Sequence, residues 1–262
     1  MKKASPAVPR ALHALWVAFL CGFMPLAHAQ QSWDGSYVGL TAASSRNVIN
    51  GTTIRANTGG DVADEAANNL RNERHGAGLV LGFRRQLDSG LIVGIEADLT
   101  RVGHRASNQD LIGAGPYAGQ PSDALRYEMP WLATSRAVAA WSFGDWLLFG
   151  SGGAAFATEK VTRTQYRAVA GTSQTAAQFS EIDRVNRLGY ALGAGLEWRW
   201  GKPWSIRAEY LHVRFPKEAF RFPDARGGAQ AAYSSVQGRV ASNEAKLNAL
   251  KIGLIYRFGS GL

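Results

Sequence analysis

The sequence predicts an all-β fold: a closed eight-stranded antiparallel up-and-down transmembrane barrel with four long extracellular loops and three short periplasmic turns. Three observations carry this prediction. Apolar residues recur at every second position in eight segments, which is the period of a strand and not of a helix. The connections between those segments alternate between two or three residues and about thirty. Aromatic residues collect beside the short connections, and 30 glycines against 9 prolines leave room for close backbone packing.

The chain begins with Lys2, Lys3 and Arg10, then an apolar stretch from about Ala11 to Leu26, then Ala27-His28-Ala29 with small residues where a signal peptidase cuts. Residues 1–29 are therefore expected to be a signal peptide cleaved after Ala29, and 30–262 the barrel. The apolar core between His13 and Pro25 is too short to span a bilayer as an anchor. The single cysteine, Cys21, lies in the segment to be removed, so disulfides and thiolate chemistry are excluded from the mature chain. Loss of three cations lowers the formal net charge from +9 to +6. An exported basic chain without a zinc finger, an RNP-type motif or a long Lys/Arg run is not expected to bind nucleic acid, so its charge should act at a membrane or cell surface.

The eight strands are read at about Trp33 to Ser45, Arg74 to Leu87, Leu91 to Arg101, Trp131 to Phe143, Trp146 to Thr158, Leu188 to Trp200, Trp204 to Phe215 and Leu247 to Phe258. Each reaches the roughly 9 to 11 residues that a tilted strand needs to cross a membrane. Asp88-Ser89-Gly90, Gly144-Asp145 and Gly201-Lys202-Pro203 are the tight turns; Arg46 to Glu73, Val102 to Pro130, Glu159 to Arg187 and Pro216 to Lys246 are the long loops. The first strand could face lipid through Val38 and Leu40 or through Tyr37. The fifth is open too, because many of its positions are Gly or Ala.

Parity distinguishes a membrane barrel from a soluble one of equal strand number. The apolar faces, such as Leu188, Tyr190, Leu192, Leu196, Trp198 and Trp200, carry aromatics at their ends, whereas the alternate faces are glycine-rich and charged. Trp141, Phe143, Trp198, Trp200, Trp204, Tyr256 and Phe258 are expected to form a periplasmic-side aromatic girdle. Arg84, Glu96, Asp98, Arg136, Glu197, Arg199, Arg207, Glu209, Lys251 and Arg257 fall on inward parity and are expected to pair as an interior charge network, with glycines such as Gly193 and Gly253 making room.

Trp33-Asp34-Gly35-Ser36-Tyr37-Val38-Gly39-Leu40, Glu209-Tyr210-Leu211 and Ile252-Gly253-Leu254-Ile255-Tyr256-Arg257-Phe258, in this order, resemble the small eight-stranded outer-membrane proteins of the opacity-protein and surface-antigen branch, with an OmpA-type transmembrane barrel. The resemblance spans nearly the whole mature chain. It implies a closed eight-stranded barrel in the outer membrane, and roles as surface antigen, adhesin or envelope stabiliser. That family ends on its aromatic residue, whereas Gly259-Ser260-Gly261-Leu262 follow Phe258 here, so either Phe258 or Leu262 would serve as the assembly signal.

Three function classes follow. The expected one is a non-enzymatic outer-membrane protein acting in envelope integrity and surface interaction through long basic loops. A narrow porin-like channel is the alternative, disfavoured because side chains just fill an eight-stranded barrel. An outer-membrane lipid-modifying enzyme is the third: it would need its chemistry from His75, His104 or His212, with His104 read as a loop residue, and no catalytic motif supports it. No catalytic residue, metal or cofactor is assigned. The third and fourth loops carry formal balances of +2 over Glu159–Arg187 and +3 over Arg214–Lys246. Arg163, Arg167, Arg184, Arg187, Arg214, Lys217, Arg221 and Arg226 are the candidate anion-binding residues; outer-membrane lipid and lipopolysaccharide are the first partners expected, and a host or envelope protein the second.

Overall fold

Alternation of large apolar and small or charged residues favours pleated strands whose two faces meet different solvents, and the computed structural model closes such strands on themselves. The structure describes residues 32–55, 63–64, 70–87, 90–112, 121–222 and 239–258. The expected signal peptide, the Asp88–Ser89 turn and the residues after Phe258 lie outside them. The strands are β1 (Gly35–Arg55), β2 (Ala63–Asp64), β3 (Leu70–Gln86), β4 (Leu91–Ile112), β5 (Pro121–Phe143), β6 (Trp146–Ala168), β7 (Thr175–Gly201), β8 (Trp204–Phe222) and β9 (Arg239–Arg257). The two-residue β2 pairs only with the end of β1; the other eight run antiparallel in chain order, and β1 pairs with β9 to close the ring.

The outer face of the lower half is apolar. Leu40, Leu81, Ile95, Leu192 and Ile252 are all more than half exposed, as lipid contact requires. The register that sequence leaves open in β1 is settled by Tyr37, which turns inward to a carboxylate, so Val38 and Leu40 face out. In β6, Leu147 and Phe149 are buried, so Trp146, Leu148 and Phe156 face out. On β5 the exposed aromatics Trp131 and Trp141 bracket the apolar band. Ten residues at about 3.3 Å each, tilted by about 40°, give a height of roughly 25 Å, that of a barrel's lipid-facing belt.

The four long loops need correction, because the strands run well past the membrane. β6 and β7 stay paired to Ala168↔Thr175, and β8 and β9 to Phe222↔Arg239. Only residues 56–62, 65–69, 113–120 and 223–238 separate described segments on that side, with a short connection after Ala168. The period of two continues above the membrane but its polarity reverses. Leu125, Tyr127 and Met129 of β5 point inward between Arg126 and Glu128; Val213, Phe215, Phe220 and Phe222 of β8 point inward beside Arg214 and Arg221. These residues join Val102, Val161, Leu211 and Leu247 in an apolar core inside the extracellular half.

Candidate functional site

Inward parity on the lower strands places ten charged residues in a narrow tube, where an unpaired charge would cost several kcal/mol. Glu96 of β4 is the hub. Its carboxylate accepts from the Tyr37 hydroxyl at 2.7 Å, from Arg136 at 2.5 Å and from both terminal nitrogens of Arg207, the longer contact being 3.2 Å. Arg136 also pairs with Glu209 and donates to Ser151 at 3.0 Å, and Arg207 lies 3.4 Å from Glu209. Arg84 pairs with Glu197 at 2.8 Å, and the Ser205 hydroxyl donates to the same carboxylate at 2.6 Å. Lys251 pairs with Asp98 and donates to Thr100 at 3.2 Å. Gly193 makes this possible: a Cβ there would stand 2.6 Å from Arg136 Nη1 and 2.7 Å from Glu209 Oε1.

Two of the ten residues do something else. Arg199 and Arg257 lie at the periplasmic mouth, each with its guanidinium 4.3 Å from the ring of Trp33, which is fully buried. The indole fills the mouth of the barrel and the two cations stack on it. Outside, Trp141, Phe143, Trp198, Trp200, Trp204, Tyr256 and Phe258 face outward at that end, and Trp146 joins them, stacked on Trp198 with 6.0 Å between centroids. Trp204, Tyr256 and Phe258 form an edge-to-face row at 5.0 and 5.2 Å.

The anion-binding set divides. Arg163 and Arg187, expected on a basic outer sector, are buried inside the barrel, because strand parity persists through residues read as loop. Arg187 pairs with Glu159 and donates to the Asn243 side chain at 2.7 Å and the Pro216 carbonyl at 2.6 Å; Arg163 pairs with Glu181 at 3.1 Å. Arg184, Arg214, Lys217 and Arg221 are exposed, with Arg214 3.1 Å from Glu244. The side chain of Arg167 and the whole of Arg226 lie outside the described residues. Glu159, Glu181 and Asn243 are interior polar residues that loop assignment hid; the unbroken parity from Ala155 through Ala157, Glu159, Val161 and Arg163 is the signal that finds them. Burial pushes the Glu159 carboxyl above the ordinary carboxylate range, and Arg187 pulls against that shift.

His104 also needs correction. It is a buried residue of β4 and not a loop residue, since the inward parity of Glu96, Asp98, Thr100 and Val102 runs on to it unbroken. Its Nε2 is 3.0 Å from the Ser45 hydroxyl and its Nδ1 3.3 Å from Asn72 Oδ1. Burial, reinforced by Arg74, pulls its pKa down to about 4. The order hydroxyl, imidazole, amide is that of a nucleophile relay. Yet Ser45 is only 3% exposed, its hydroxyl lies 3.2 Å from the Arg74 carbonyl, and it lines none of the described cavities. His75 is exposed, and His212 meets Asn248 at 2.7 Å on the outer face. Among the described residues no three His, Cys, Asp or Glu side chains converge as metal ligands.

Residues 14–258 match the family described as outer membrane protein beta-barrel domain. The chain is 22% identical over 228 residues to the 31 kDa outer-membrane immunogenic protein of Brucella melitensis, covering 87% of this chain and 84% of that relative. Among solved structures, it is similar to Neisserial surface protein A at 12% identity, covering 86% of this chain and 97% of the other with a TM-score of 0.40. It is also similar to Ail of Yersinia pestis in complex with the heparin analogue sucrose octasulfate, at 12% identity, 86% and 99% coverage and a TM-score of 0.38.

Proposed function

This chain belongs to the outer-membrane protein β-barrel family, and from that premise we propose that it is a non-conducting, non-enzymatic surface protein that stabilises the envelope through contacts between its extracellular half and lipopolysaccharide. The observation that carries this reading is the double closure of the interior. The network around Glu96 crosses the membrane half, and the apolar core around Tyr127, Phe215 and Phe220 fills the half above it. A solute would have to break buried ion pairs and then cross a dry layer, which disfavours the channel. The seclusion of Ser45 disfavours the enzyme, because a nucleophile must reach its substrate. Function then falls to the outer surface, where Arg214, Lys217 and Arg221 stand exposed on β8 and guanidinium groups suit phosphate oxygens.

Two measurements test the proposal. The purified protein reconstituted in planar bilayers should show no large stable conductance; such conductance would move the assignment to a channel. Lipopolysaccharide should bind the reconstituted protein in a salt-sensitive manner, and replacement of Arg214, Lys217 and Arg221 by Ala should weaken that binding without loss of heat-modifiable migration. Salt-insensitive binding, or none, would leave the extracellular half as a recognition surface for a protein.

A further inference from the structure

The ladder between β3 and β4 runs from Gln86↔Ile92 to Gly78↔Thr100 and ends there among the described residues, although β3 stays on β1 as far as Leu70 and β4 stays on β5. The regular ladder is thus interrupted along one seam just above the apolar band, where the Asn72 side chain still donates across to the Arg105 carbonyl. The bulge at Arg101–His104, with Gly103 at φ +56°, lies on that seam. Outside it is a groove of about 520 Å³ whose charged lining is Arg74, Arg101, Arg105, Lys160, Arg184 and a single carboxylate, Glu128. A second groove of about 450 Å³ is lined mainly by Leu99, Trp131, Ala133, Phe156 and Ala157, with Asn186 and Arg187 also on its lining, and shares Pro130 and Thr158 with the first.

The two grooves are ordered along the membrane normal. Arg101 is the register partner of Trp131, whose half-exposed indole marks the top of the lipid-facing band. The cationic groove therefore starts where hydrocarbon ends. Glu128 engages Arg105 at 2.9 Å and Lys160 at 3.2 Å, while Arg74, Arg101 and Arg184 have no carboxylate partner among the described residues. Together the side chains leave a surplus of four positive charges around one groove. Like charges so crowded repel each other unless an anion sits among them, and this anion must also have an apolar part to occupy the lower groove.

We propose that the paired grooves bind one outer-leaflet lipid that bears two phosphomonoesters, with its phosphates on Arg74, Arg101 and Arg184 and an acyl chain along Leu99, Trp131 and Phe156. A phosphodiester lipid offers one negative charge. Two phosphomonoesters offer about three to four, which matches the surplus. The proposal rests on the reading of this protein as a lipopolysaccharide contact, but it places the site on the barrel wall at the seam, away from the β8 residues.

The test uses the whole mature protein in phosphatidylcholine nanodiscs doped with bisphosphorylated lipid A, with lipid retention read by native mass spectrometry. Wild type should retain lipid A in preference to phosphatidylglycerol. Replacing Arg74, Arg101 and Arg184 by Ala should weaken retention by about tenfold or more and flatten its salt dependence. Trp131→Ala should weaken lipid A retention, and inorganic pyrophosphate added as a competitor should displace lipid A from wild type only weakly. Heat-modifiable migration confirms that each variant is folded. Equal retention by wild type and the triple variant would overturn the groove, as would pyrophosphate competing as tightly as the lipid, or equal retention of phosphatidylglycerol. If the β8 variant alone loses binding, the groove falls and the lipopolysaccharide reading stands; if wild type retains no lipid A, both fall.

Discussion

The barrel has one wall and two interiors. In the membrane half the outside is apolar and the inside charged; in the extracellular half the inside is mainly apolar, with the Arg187–Glu159 and Arg163–Glu181 pairs set into it, and the outside is charged. The same strands serve both, so β5 carries Arg136 inward beneath Leu125, Tyr127 and Met129, and β8 carries Arg207 and Glu209 inward beneath Val213 and Phe215. The reversal follows from the solvent outside. Where lipid surrounds the wall, apolar side chains gain nothing by turning inward, and polar ones are cheapest inside with partners. Where water surrounds it, burying apolar area drives packing at about 25 cal/mol per Å², and charges go out. A period-two strand accommodates both because only the identity of the alternate residues changes.

The first way to break the comparison is to unbalance the membrane interior. Glu96→Ala removes the shared acceptor of Arg136, Arg207 and Tyr37, leaving two buried guanidinium groups short of charge compensation. A loss of about 3–5 kcal/mol is expected in reversible urea unfolding from lipid vesicles. The whole barrel should lose stability together, because the hub joins β1, β4, β5 and β8. Phe215→Ala attacks the other interior: a fully buried ring of the extracellular core, it should cost about 3 kcal/mol. Here the expected signature is local, with protease cutting the outer strands while the lipid-embedded half stays protected.

Exteriors give a sharper contrast from one kind of substitution. Ile95 is the most exposed large apolar residue of β4 and lies between the two aromatic levels, so Ile95→Arg should cost about 2–4 kcal/mol in the same unfolding assay. Ile182 is also more than half exposed but stands on β7 six residues beyond Leu188, above the band. Ile182→Arg should change stability by no more than about 0.5 kcal/mol. Equal costs at the two positions would mean that the lipid boundary does not lie between them.

These halves were unequally legible in the sequence. The membrane half announces itself because Leu, Trp and Tyr alternate with Gly, Glu and Arg over a full span, as in Leu188 to Trp200. The extracellular half alternates as regularly in Leu125-Arg126-Tyr127-Glu128-Met129, but with the polarity of a soluble protein, so a search for lipid-facing strands ends too early. This is why Arg163 and Arg187 look like surface charges, and Glu159 like a loop residue, in the sequence. The ion-pair partners Glu96, Arg136, Arg207 and Glu209 were readable as a set from parity alone. Which carboxylate meets which guanidinium depends on barrel stagger, which no local pattern encodes. His104 itself continues the inward parity of Asp98, Thr100 and Val102, but the register slip between β4 and β5 beside it was not legible, because it depends on strand pairing and Gly103 is its one local sign.

The seam beside His104 supplies a pH-dependent effect and a separate check on where water reaches. His104 sits at the boundary between the two interiors, held by Ser45 and Asn72, with Arg74 nearby. Arg105, Glu128 and Glu159 line the small cavity beside it. The imidazole binds its proton near pH 6.5 in the unfolded chain but only near pH 4 in the folded barrel. Between those values the unfolded state holds more protons, so the His104 contribution is complete above pH 6.5 and declines as pH falls toward 4. The raised Glu159 carboxyl acts in the opposite sense, adding stability as it takes up its proton on the acid side. The two are separated by measuring wild type against His104→Gln, in which Glu159 is common to both. The wild-type advantage should shrink by on the order of 1 kcal/mol between pH 7 and pH 4.5, after allowance for water at the seam. A difference that stays flat across that window would mean that the imidazole is solvated in the folded protein, and that the wall is open to water at the point where its two interiors meet.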